Sequence, residues 1–194
     1  MKAVLASGNA GKLREFAQLL SPRDIELVPQ TLFGIEPPEE TGATFLDNAL
    51  LKARYAAARS GLAALADDSG IEVDALDGRP GVRSARYAGE GASDAENLAL
   101  MLRELQGVPE ERRAARYRCV LVFLRHPADR QPLIATGSWE GCILGAPRGS
   151  GGFGYDPIFL PRGETRSAAE LPAQQKNELS HRGQALRALL AALS

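Results

Sequence analysis

The chain has 194 residues, of which 44% are hydrophobic and 24% are charged, an ordinary balance for a globular protein. Its 23 basic and 24 acidic residues give a net charge of −1, which excludes the uniformly basic surface of a non-specific nucleic-acid-binding protein. No apolar run approaches the ~18 residues that a membrane span requires, and no signal-peptide pattern is present. We therefore expect a cytoplasmic protein that binds neither nucleic acid nor a membrane.

The hydrophobic periodicity predicts alternating strands and helices, followed by two long strands. Strands are predicted over 2–6, 25–28, 62–66, 71–73, 115–125, 133–143 and 157–160, and helices over 11–20, 44–60, 93–105 and 180–193. Loops rich in Gly and Pro cover 37–42, 77–81 and 145–154. The pattern predicts an α/β fold with a mixed sheet, formed by one domain over residues 1–194 and arranged in two lobes around a cleft.

Short local signals set the expected helix ends. Thr44 with Asp47, and Ser93 with Glu96, have the spacing of capping boxes, in which each side chain bonds the other residue's backbone N–H. Gly61 follows the second helix directly, as a C-terminal cap does. These signals predict helices that begin near 44 and 93.

The residue types that are rare in this chain limit the kinds of site that it can form. The two cysteines cannot build a disulfide framework or a four-thiolate zinc site, and two isolated histidines exclude a histidine-rich metal site. Lysine is also rare, because 19 of the 23 basic residues are arginine. Lysine is a compact point charge that can bridge phosphate oxygens in a narrow pocket. The three lysines beyond the N-terminal Lys2 are therefore of interest, namely Lys12, Lys52 and Lys176.

The first candidate segment is Ser7-Gly8-Asn9-Ala10-Gly11-Lys12, between a predicted strand and a predicted helix. Glycines let the backbone approach an anion, a helix start offers free N–H groups, and Lys12 adds a positive charge. It is not a P-loop, since only two residues separate the glycines and Leu13 follows the lysine. The segment predicts either a phosphate-binding loop or a plain strand-to-helix turn.

The second candidate is Asp67-Asp68-Ser69-Gly70, at the end of an apolar strand. Adjacent carboxylates repel unless they are solvated or bound to a cation, and on an extended backbone they point to opposite faces. Glu39 and Glu40 lie in a loop that can supply further oxygen ligands for Mg²⁺. The alternative is a solvated acidic turn.

The last two candidates lie near the C-terminus. The glycine-rich stretch 149–157 carries Phe153 or Tyr155 to stack on a base and Asp156 to bond its edge, unless it is only a tight turn. Lys176, His181 and Arg182 gather donors near the start of the final helix, where a helix cap with a solvated basic pair is the alternative.

Together these segments resemble the inosine/xanthosine triphosphate pyrophosphatase family. The resemblance covers essentially the whole chain, and its motifs occur in the family's order. The matching segments are Ser7–Lys12, Glu39–Gly42, Ala66–Gly70, Pro80-Gly81 with Ser84–Tyr87, Phe153–Pro157 and Ser180–Arg182.

The resemblance implies an elongated α/β fold with a cleft between two lobes, a homodimer, and Mg²⁺-dependent hydrolysis of ITP, dITP and XTP to the monophosphate and pyrophosphate. It implies that Asp68 is the catalytic base and binds the metal with Glu39, with Glu40 as the other possible ligand. The substrate contacts that it implies are Ser7, Gly8, Asn9, Ala10, Gly11, Lys12, Ser69, Phe153, Gly154, Tyr155, Asp156, Lys176, His181 and Arg182.

Two other functions stay open. One is a broader nucleoside triphosphate pyrophosphatase that acts on modified pyrimidines, which a substrate panel would separate. The other is a nucleotide-binding module without chemistry, which would bind nucleotide but not turn it over. Selection of a 6-oxo purine needs donors aimed at that oxygen, from Arg182 or from backbone N–H groups. The sequence offers no residue for the rejection of guanine.

Overall fold

The computed structural model describes residues 1–8, 12–13, 16–17, 20 and 24–193. The chain divides into two compact units. Unit 1 contains Met1–Asp68, Cys119–Gly137 and Ala185–Ser194, and unit 2 contains Ser69–Arg118 and Ser138–Gln184. None of the helices in the described ranges is both long enough and apolar enough to cross a membrane.

The fold is α/β with a mixed sheet, as the sequence predicts. The described strands are β1 (Lys2–Leu5), β2 (Glu26–Pro29), β3 (Ala63–Val73), β4 (Ala114–Leu124), β5 (Leu133–Ile143) and β6 (Phe159–Pro161), in the spatial order β2-β1-β3-β4-β5-β6. β1 pairs in parallel with β2 and β3, whereas β5 and β6 are antiparallel. The helices with described bounds are α1 (Phe45–Ser60), α2 (Asp94–Glu104), α3 (Ala173–Leu179) and α4 (His181–Ala192).

The predicted helix ends are confirmed. Thr44 and Ser93 are N-caps, and each forms the reciprocal pair of bonds of a capping box, with Asp47 and Glu96 respectively. Gly61 ends α1 in the left-handed conformation, with φ of 71°. Near the N-terminus, the described residues 12, 13, 16, 17 and 20 are helical, and the rest of the predicted helix over 11–20 lies outside the described residues.

In unit 1, alternate residues of the parallel strands enter two separate cores. Leu5 of β1 and Leu65 of β3 pack in one core with Phe16, Leu20 and residues of α4. Their neighbours Ala64 and Ala66 pack in the other core against the alanine-rich face of α1. Helical segments therefore cover both faces, and the side-chain parity along β3 decides which helical segment a residue meets.

The core of unit 2 is rich in aromatic residues. Tyr117 of β4, Trp139 of β5 and Phe159 of β6 are buried together. The ring centroids of Tyr117 and Phe159 lie 4.8 Å apart with an edge-to-face angle of 71°, and those of Trp139 and Phe159 lie 5.3 Å apart. Such ring pairs contribute beyond their buried area and hold the surrounding backbone in a defined position.

Two sequence predictions of local structure are wrong in detail, and one helix is not predicted. Asp67–Gly70 is not a turn, because β3 continues through it to Val73. Pro157 is not extended but lies in a short 3-10 turn over Asp156–Ile158. The helix α3 is not predicted, since its sequence, AQQKNEL, has no buried residue and therefore no apolar stripe.

Candidate active site

Asp67 and Asp68 are adjacent on β3 and contact different helical segments. Asp67 shares the parity of Leu65, on the side of the helical residues 12, 13, 16, 17 and 20, whereas Asp68 shares the parity of Ala66, on the side of α1. Both carboxylates are buried, with exposures of 2% and 7%. The strand therefore separates the two charges, and each needs its own partner.

The partner of Asp67 is Lys12. The Lys12 Nζ lies 2.7 Å from Asp67 Oδ2, and the Asp67 side chain is almost completely enclosed. A buried carboxylate is tolerated when it is paired and hydrogen-bonded. The lysine of the first predicted motif is therefore held on the carboxylate that precedes Asp68.

Asp68 is paired with Lys52, which extends from α1. The Lys52 Nζ lies 2.8 Å from Asp68 Oδ1 and 2.9 Å from Glu40 Oε1. One ammonium group thus joins the strand carboxylate to the acidic loop over residues 36–43. Two carboxylates converge on one cation.

Burial and neighbouring charges shift the pKa values of Asp68 and Lys52 in opposite directions. Burial raises the pKa of Asp68 above its usual range, although Lys52 counteracts this. Burial lowers the pKa of Lys52, but Asp68, Asp67 and Glu40 outweigh it and raise that pKa overall. At neutral pH Lys52 therefore stays charged, and Asp68 is a stronger base than an exposed aspartate.

Asn48 completes the surroundings of Asp68. Its Nδ2 donates to Asp68 Oδ2 over 3.3 Å, and its Oδ1 accepts a hydrogen bond from the Gly42 N–H over 2.8 Å. Asn48 and Lys52 are one helical turn apart on α1, so a single helix contacts both Asp68 oxygens.

The acidic loop presents Glu40 rather than Glu39 to Asp68. Glu40 is half-buried and bonded to Lys52, whereas Glu39 is exposed. The resemblance implies Glu39 first, with Glu40 as the other possible ligand, and the bond from Lys52 favours Glu40. Glu40 is therefore the better candidate for a metal ligand beside Asp68.

The donor set fits Mg²⁺ with substrate as a co-ligand. In the described ranges, no three His, Cys, Asp or Glu side chains are grouped closely enough to hold a metal by themselves. Mg²⁺ is commonly held by one or two carboxylates plus water and phosphate oxygens. The carboxylates of Glu40 and Asp68, which already converge on the Lys52 cation, meet that requirement.

In unit 2, Asp156 is the centre of a second polar cluster. It is 2% exposed. Its Oδ2 accepts a hydrogen bond from the Phe153 N–H over 2.7 Å and is also bonded to Lys176, and its Oδ1 accepts from the Tyr117 hydroxyl over 3.3 Å. A side chain at Gly152, which has φ of 75°, would collide with this carboxylate, so the glycine is required there.

Aromatic faces and cations surround that cluster. The His181 ring stacks on Tyr117, with centroids 4.7 Å apart and planes 6° apart. The exposed ring of Phe153 has the Lys176 ammonium 4.5 Å and the Arg182 guanidinium 5.3 Å from its centroid. Burial, followed by Asp156, raises the pKa of Tyr117 well above its usual range, so its hydroxyl remains a donor.

The other predicted contacts are distributed as follows. Tyr155 is buried and donates from its hydroxyl to the Ser84 carbonyl, which leaves Phe153 as the ring that is open to a base. The Gly154 N–H donates to Asp94 over 2.7 Å. Ser69 is partly exposed within β3. Ser7 is partly exposed and Gly8 is exposed, while Asn9, Ala10 and Gly11 lie outside the described residues.

Three residues of these clusters are absent from the site predicted by sequence. The sequence does single out Lys52, because lysine is rare in this chain. Asn48 and Lys52 also occupy the buried stripe of α1 with Phe45, Ala49 and Ala53, where a polar residue is unusual. Tyr117 has no signal of its own, because an aromatic residue in an apolar strand is typical of a core.

Comparison with known proteins gives matches over almost the whole chain. A model of the Ham1 family matches residues 3–192. The dITP/XTP pyrophosphatase of Methylococcus capsulatus is 59% identical over 192 residues, which cover 99% of this chain and 96% of the relative. That of Shigella flexneri is 56% identical over 192 residues, which cover 99% of this chain and 98% of the relative.

Solved structures also match nearly the whole chain. A HAM1 protein from Coxiella burnetii has a TM-score of 0.95 and 49% identity, covering 100% of this chain and 98% of that chain. A nucleoside-triphosphatase (dITP/XTP pyrophosphatase) from Mycobacterium abscessus has a TM-score of 0.83 and 47% identity, covering 98% and 99% respectively. Sequence and fold thus lead to one conclusion: the chain belongs to the Ham1 family.

Proposed function

We propose that this enzyme hydrolyses dITP, ITP and XTP to the nucleoside monophosphate and pyrophosphate, and so removes non-standard purine nucleotides from the precursor pool. The observation that carries the proposal is the arrangement around Asp68. This buried carboxylate is held by Lys52 and Asn48 and lies beside a second carboxylate through the shared Lys52 ammonium. The full-length dITP/XTP pyrophosphatase relatives support the substrate class.

Asp68 acts as the general base. In the reaction, water adds to phosphorus, the bond between the α- and β-phosphates breaks, and pyrophosphate leaves. Asp68 orients the water and accepts its proton. Lys52 keeps the carboxylate oriented through Oδ1.

Glu40 and Asp68 would hold Mg²⁺, since both carboxylates contact the Lys52 ammonium. Bound there, the ion would offset phosphate charge and acidify a bound water. Lys12 provides a further positive charge for the triphosphate, since its side chain is partly exposed while that of Asp67 is enclosed. The segment Ser7–Lys12 would supply backbone donors to phosphate oxygens.

In unit 2, the exposed face of Phe153 would stack on the purine. Lys176 and Arg182 lie near this ring and can donate to a 6-oxo group. An adenine amino group would meet like donors there, and such a mismatch at a polar site discriminates strongly. His181, stacked on Tyr117, lines the same cluster.

The test is pyrophosphate release from equal concentrations of dITP, XTP, dGTP and dATP, with and without Mg²⁺. We expect fast, Mg²⁺-dependent release from dITP and XTP only. Comparable release from all four would keep the phosphate chemistry but contradict the role given to Phe153, Lys176 and Arg182. No release from any of them would contradict the proposal as a whole.

We further propose that the enzyme is a homodimer and acts in the cytoplasm. The family resemblance supports the dimer. Cys119 and Cys142 are both thiols in the described part of the chain, in keeping with a reducing compartment. Light scattering combined with size-exclusion chromatography tests the dimer, and a molecular mass near the 20.7 kDa of one chain would contradict it.

A further inference from the structure

Asn48 is completely buried on α1, at 0% exposure. A buried carboxamide is costly unless its polar atoms are hydrogen-bonded. Both ends of Asn48 are bonded, one to the backbone of the acidic loop at Gly42 and the other to the Asp68 carboxylate. A single side chain therefore joins the loop that carries Glu40 to the proposed catalytic base.

The hydrogen-bond pattern fixes the orientation of this amide. A backbone N–H can only donate, so the oxygen of Asn48 must face Gly42. Its NH₂ group then faces Asp68 and needs an acceptor there. The amide thus favours the ionised carboxylate, which is the form that accepts a proton.

Asn48 works in parallel with Lys52. Lys52 links Glu40 to Asp68 Oδ1, while Asn48 links Gly42 to Asp68 Oδ2. The two links start one turn apart on α1 and reach different oxygens of one carboxylate. Two contacts restrain the rotation of the carboxylate plane, which a single contact would leave free.

The loop approaches Asn48 too closely for any side chain at position 42. A Cβ on Gly42 would lie 2.5 Å from Asn48 Oδ1 and 2.7 Å from Asp47 Cβ. Gly42 and Asn48 are therefore in close contact, and a substitution at either residue would disrupt it.

We propose that Asn48 is a positioning residue, which orients Asp68 and docks the acidic loop so that Glu40 and Asp68 converge on one point. The inference rests on the proposed function, in which Asp68 is the base and shares a metal with Glu40. Residues that orient a ligand commonly change metal affinity or activity by about 10- to 100-fold when they are removed.

The experiment compares Asn48→Ala, which removes the link, with Gly42→Ala, which displaces it from the loop side. For each, kcat and KM for dITP and the Mg²⁺ concentration at half-maximal rate are measured. Amide hydrogen exchange of residues 36–44 is followed without metal or nucleotide, which reports loop docking independently of turnover.

Asn97 provides a matched control. It is also a buried asparagine on a helix, and its side chain accepts from the Ala88 N–H over 2.7 Å and donates to the Ala85 carbonyl over 3.2 Å. It lies in unit 2, and both of its hydrogen bonds in the described part of the chain are to backbone groups. Asn97→Ala therefore removes an equivalent link without touching a carboxylate.

We expect Asn48→Ala to lower kcat about 10- to 100-fold, to raise the Mg²⁺ requirement and to leave KM for dITP within about threefold. Exchange over residues 36–44 should become faster, and Gly42→Ala should reproduce both effects. Asn97→Ala should lower the melting temperature but keep kcat within about twofold.

The proposal is overturned if Asn48→Ala keeps wild-type kcat, if loop exchange is unchanged, or if Asn97→Ala loses as much turnover as Asn48→Ala. Should Asn48→Ala fail to fold, Gly42→Ala decides by the same criteria. Failure of the proposed function would appear differently, as a wild-type enzyme without pyrophosphate release or as normal turnover by Asp68→Asn.

Discussion

Asp68 in unit 1 and Asp156 in unit 2 are buried aspartates, and each is paired with its own lysine. The charges around the two carboxylates differ. Around Asp68, the ion pairs in the described part of the chain join three carboxylates, those of Asp67, Asp68 and Glu40, to two lysines. Such a site retains an attraction for a further cation. The surplus of negative charge fits metal-assisted chemistry on phosphate.

Asp156 is surrounded by donors instead. Its partners in the described part of the chain are the Phe153 N–H, the Tyr117 hydroxyl and the Lys176 ammonium. Arg182 adds a second cation near the Phe153 ring. A carboxylate satisfied in this way holds a rigid aromatic and cationic surface, which fits recognition of an uncharged ring with oxo groups. We therefore propose that the two aspartates serve different tasks.

The largest effect on activity is expected from a substitution of Asp68, which tests catalysis separately from nucleotide binding. Asp68→Asn keeps the shape but removes the base, so we expect kcat to fall well over 10²-fold while nucleotide binding is retained. Single-turnover kinetics and equilibrium binding of dITP measure the two quantities. Near-normal turnover by this variant would remove Asp68 from the mechanism.

The next effect distinguishes the two acidic-loop glutamates. Glu40→Gln removes a charge that is shared with Asp68 through Lys52, and we expect the Mg²⁺ requirement to rise about 10- to 100-fold. The matched control is Glu39→Gln, which changes the same charge one residue earlier on an exposed side chain. A metal titration of the rate measures both. Equal effects of the two variants would contradict the assignment of Glu40.

A smaller effect is expected on the recognition side. Lys176→Gln removes the ion pair with Asp156 and a donor near Phe153, and a charge-assisted hydrogen bond contributes about 1.5–3 kcal/mol. KM for dITP should therefore rise about tenfold or more, with a smaller change in kcat. Steady-state kinetics check this, with the melting temperature as the control for folding. A variant that lost kcat alone would place Lys176 with the chemistry.

The smallest effect is expected at another buried aspartate, Asp129, which has no lysine partner in the described ranges. It accepts from the backbone N–H groups of Arg125 and Gln131, over 3.0 and 2.8 Å, and these bonds lower its pKa. A lowered pKa stabilises the fold above the unfolded-state pKa of about 4, and this stability is lost as the pH falls further.

Asp129→Asn should therefore leave turnover unchanged and weaken the fall in melting temperature between neutral and acid pH. Thermal melts from pH 7 to pH 3 measure this difference. An unchanged pH profile of the melting temperature would show that Asp129 does not contribute to acid sensitivity.

The elements that the sequence predicts well are those set by local chemistry. Thr44 and Ser93 begin their helices, and Gly61 ends one, because each cap is satisfied by residues a few positions away. The strand parity that sends Asp67 and Asp68 to opposite sides is also local. The placement of the two carboxylates is therefore readable before any fold is known.

The contacts across the fold are not readable in this way. Lys52 reaches Asp68 across 16 sequence positions, and the pairing depends on how α1 packs against β3. The choice of Glu40 over Glu39 depends on the direction of a loop side chain. Asn48 bonds both that loop and β3, so its role is visible only when all three elements are in place.

The central claim is that catalysis and base recognition are separable. The most direct measurement is the ratio of kcat/KM for dITP to that for dATP in Glu40→Gln and in Lys176→Gln. We predict that Glu40→Gln slows both substrates and keeps the ratio within about twofold, whereas Lys176→Gln lowers the ratio about tenfold or more. An equal loss of selectivity in both variants would contradict the division of tasks between the two clusters.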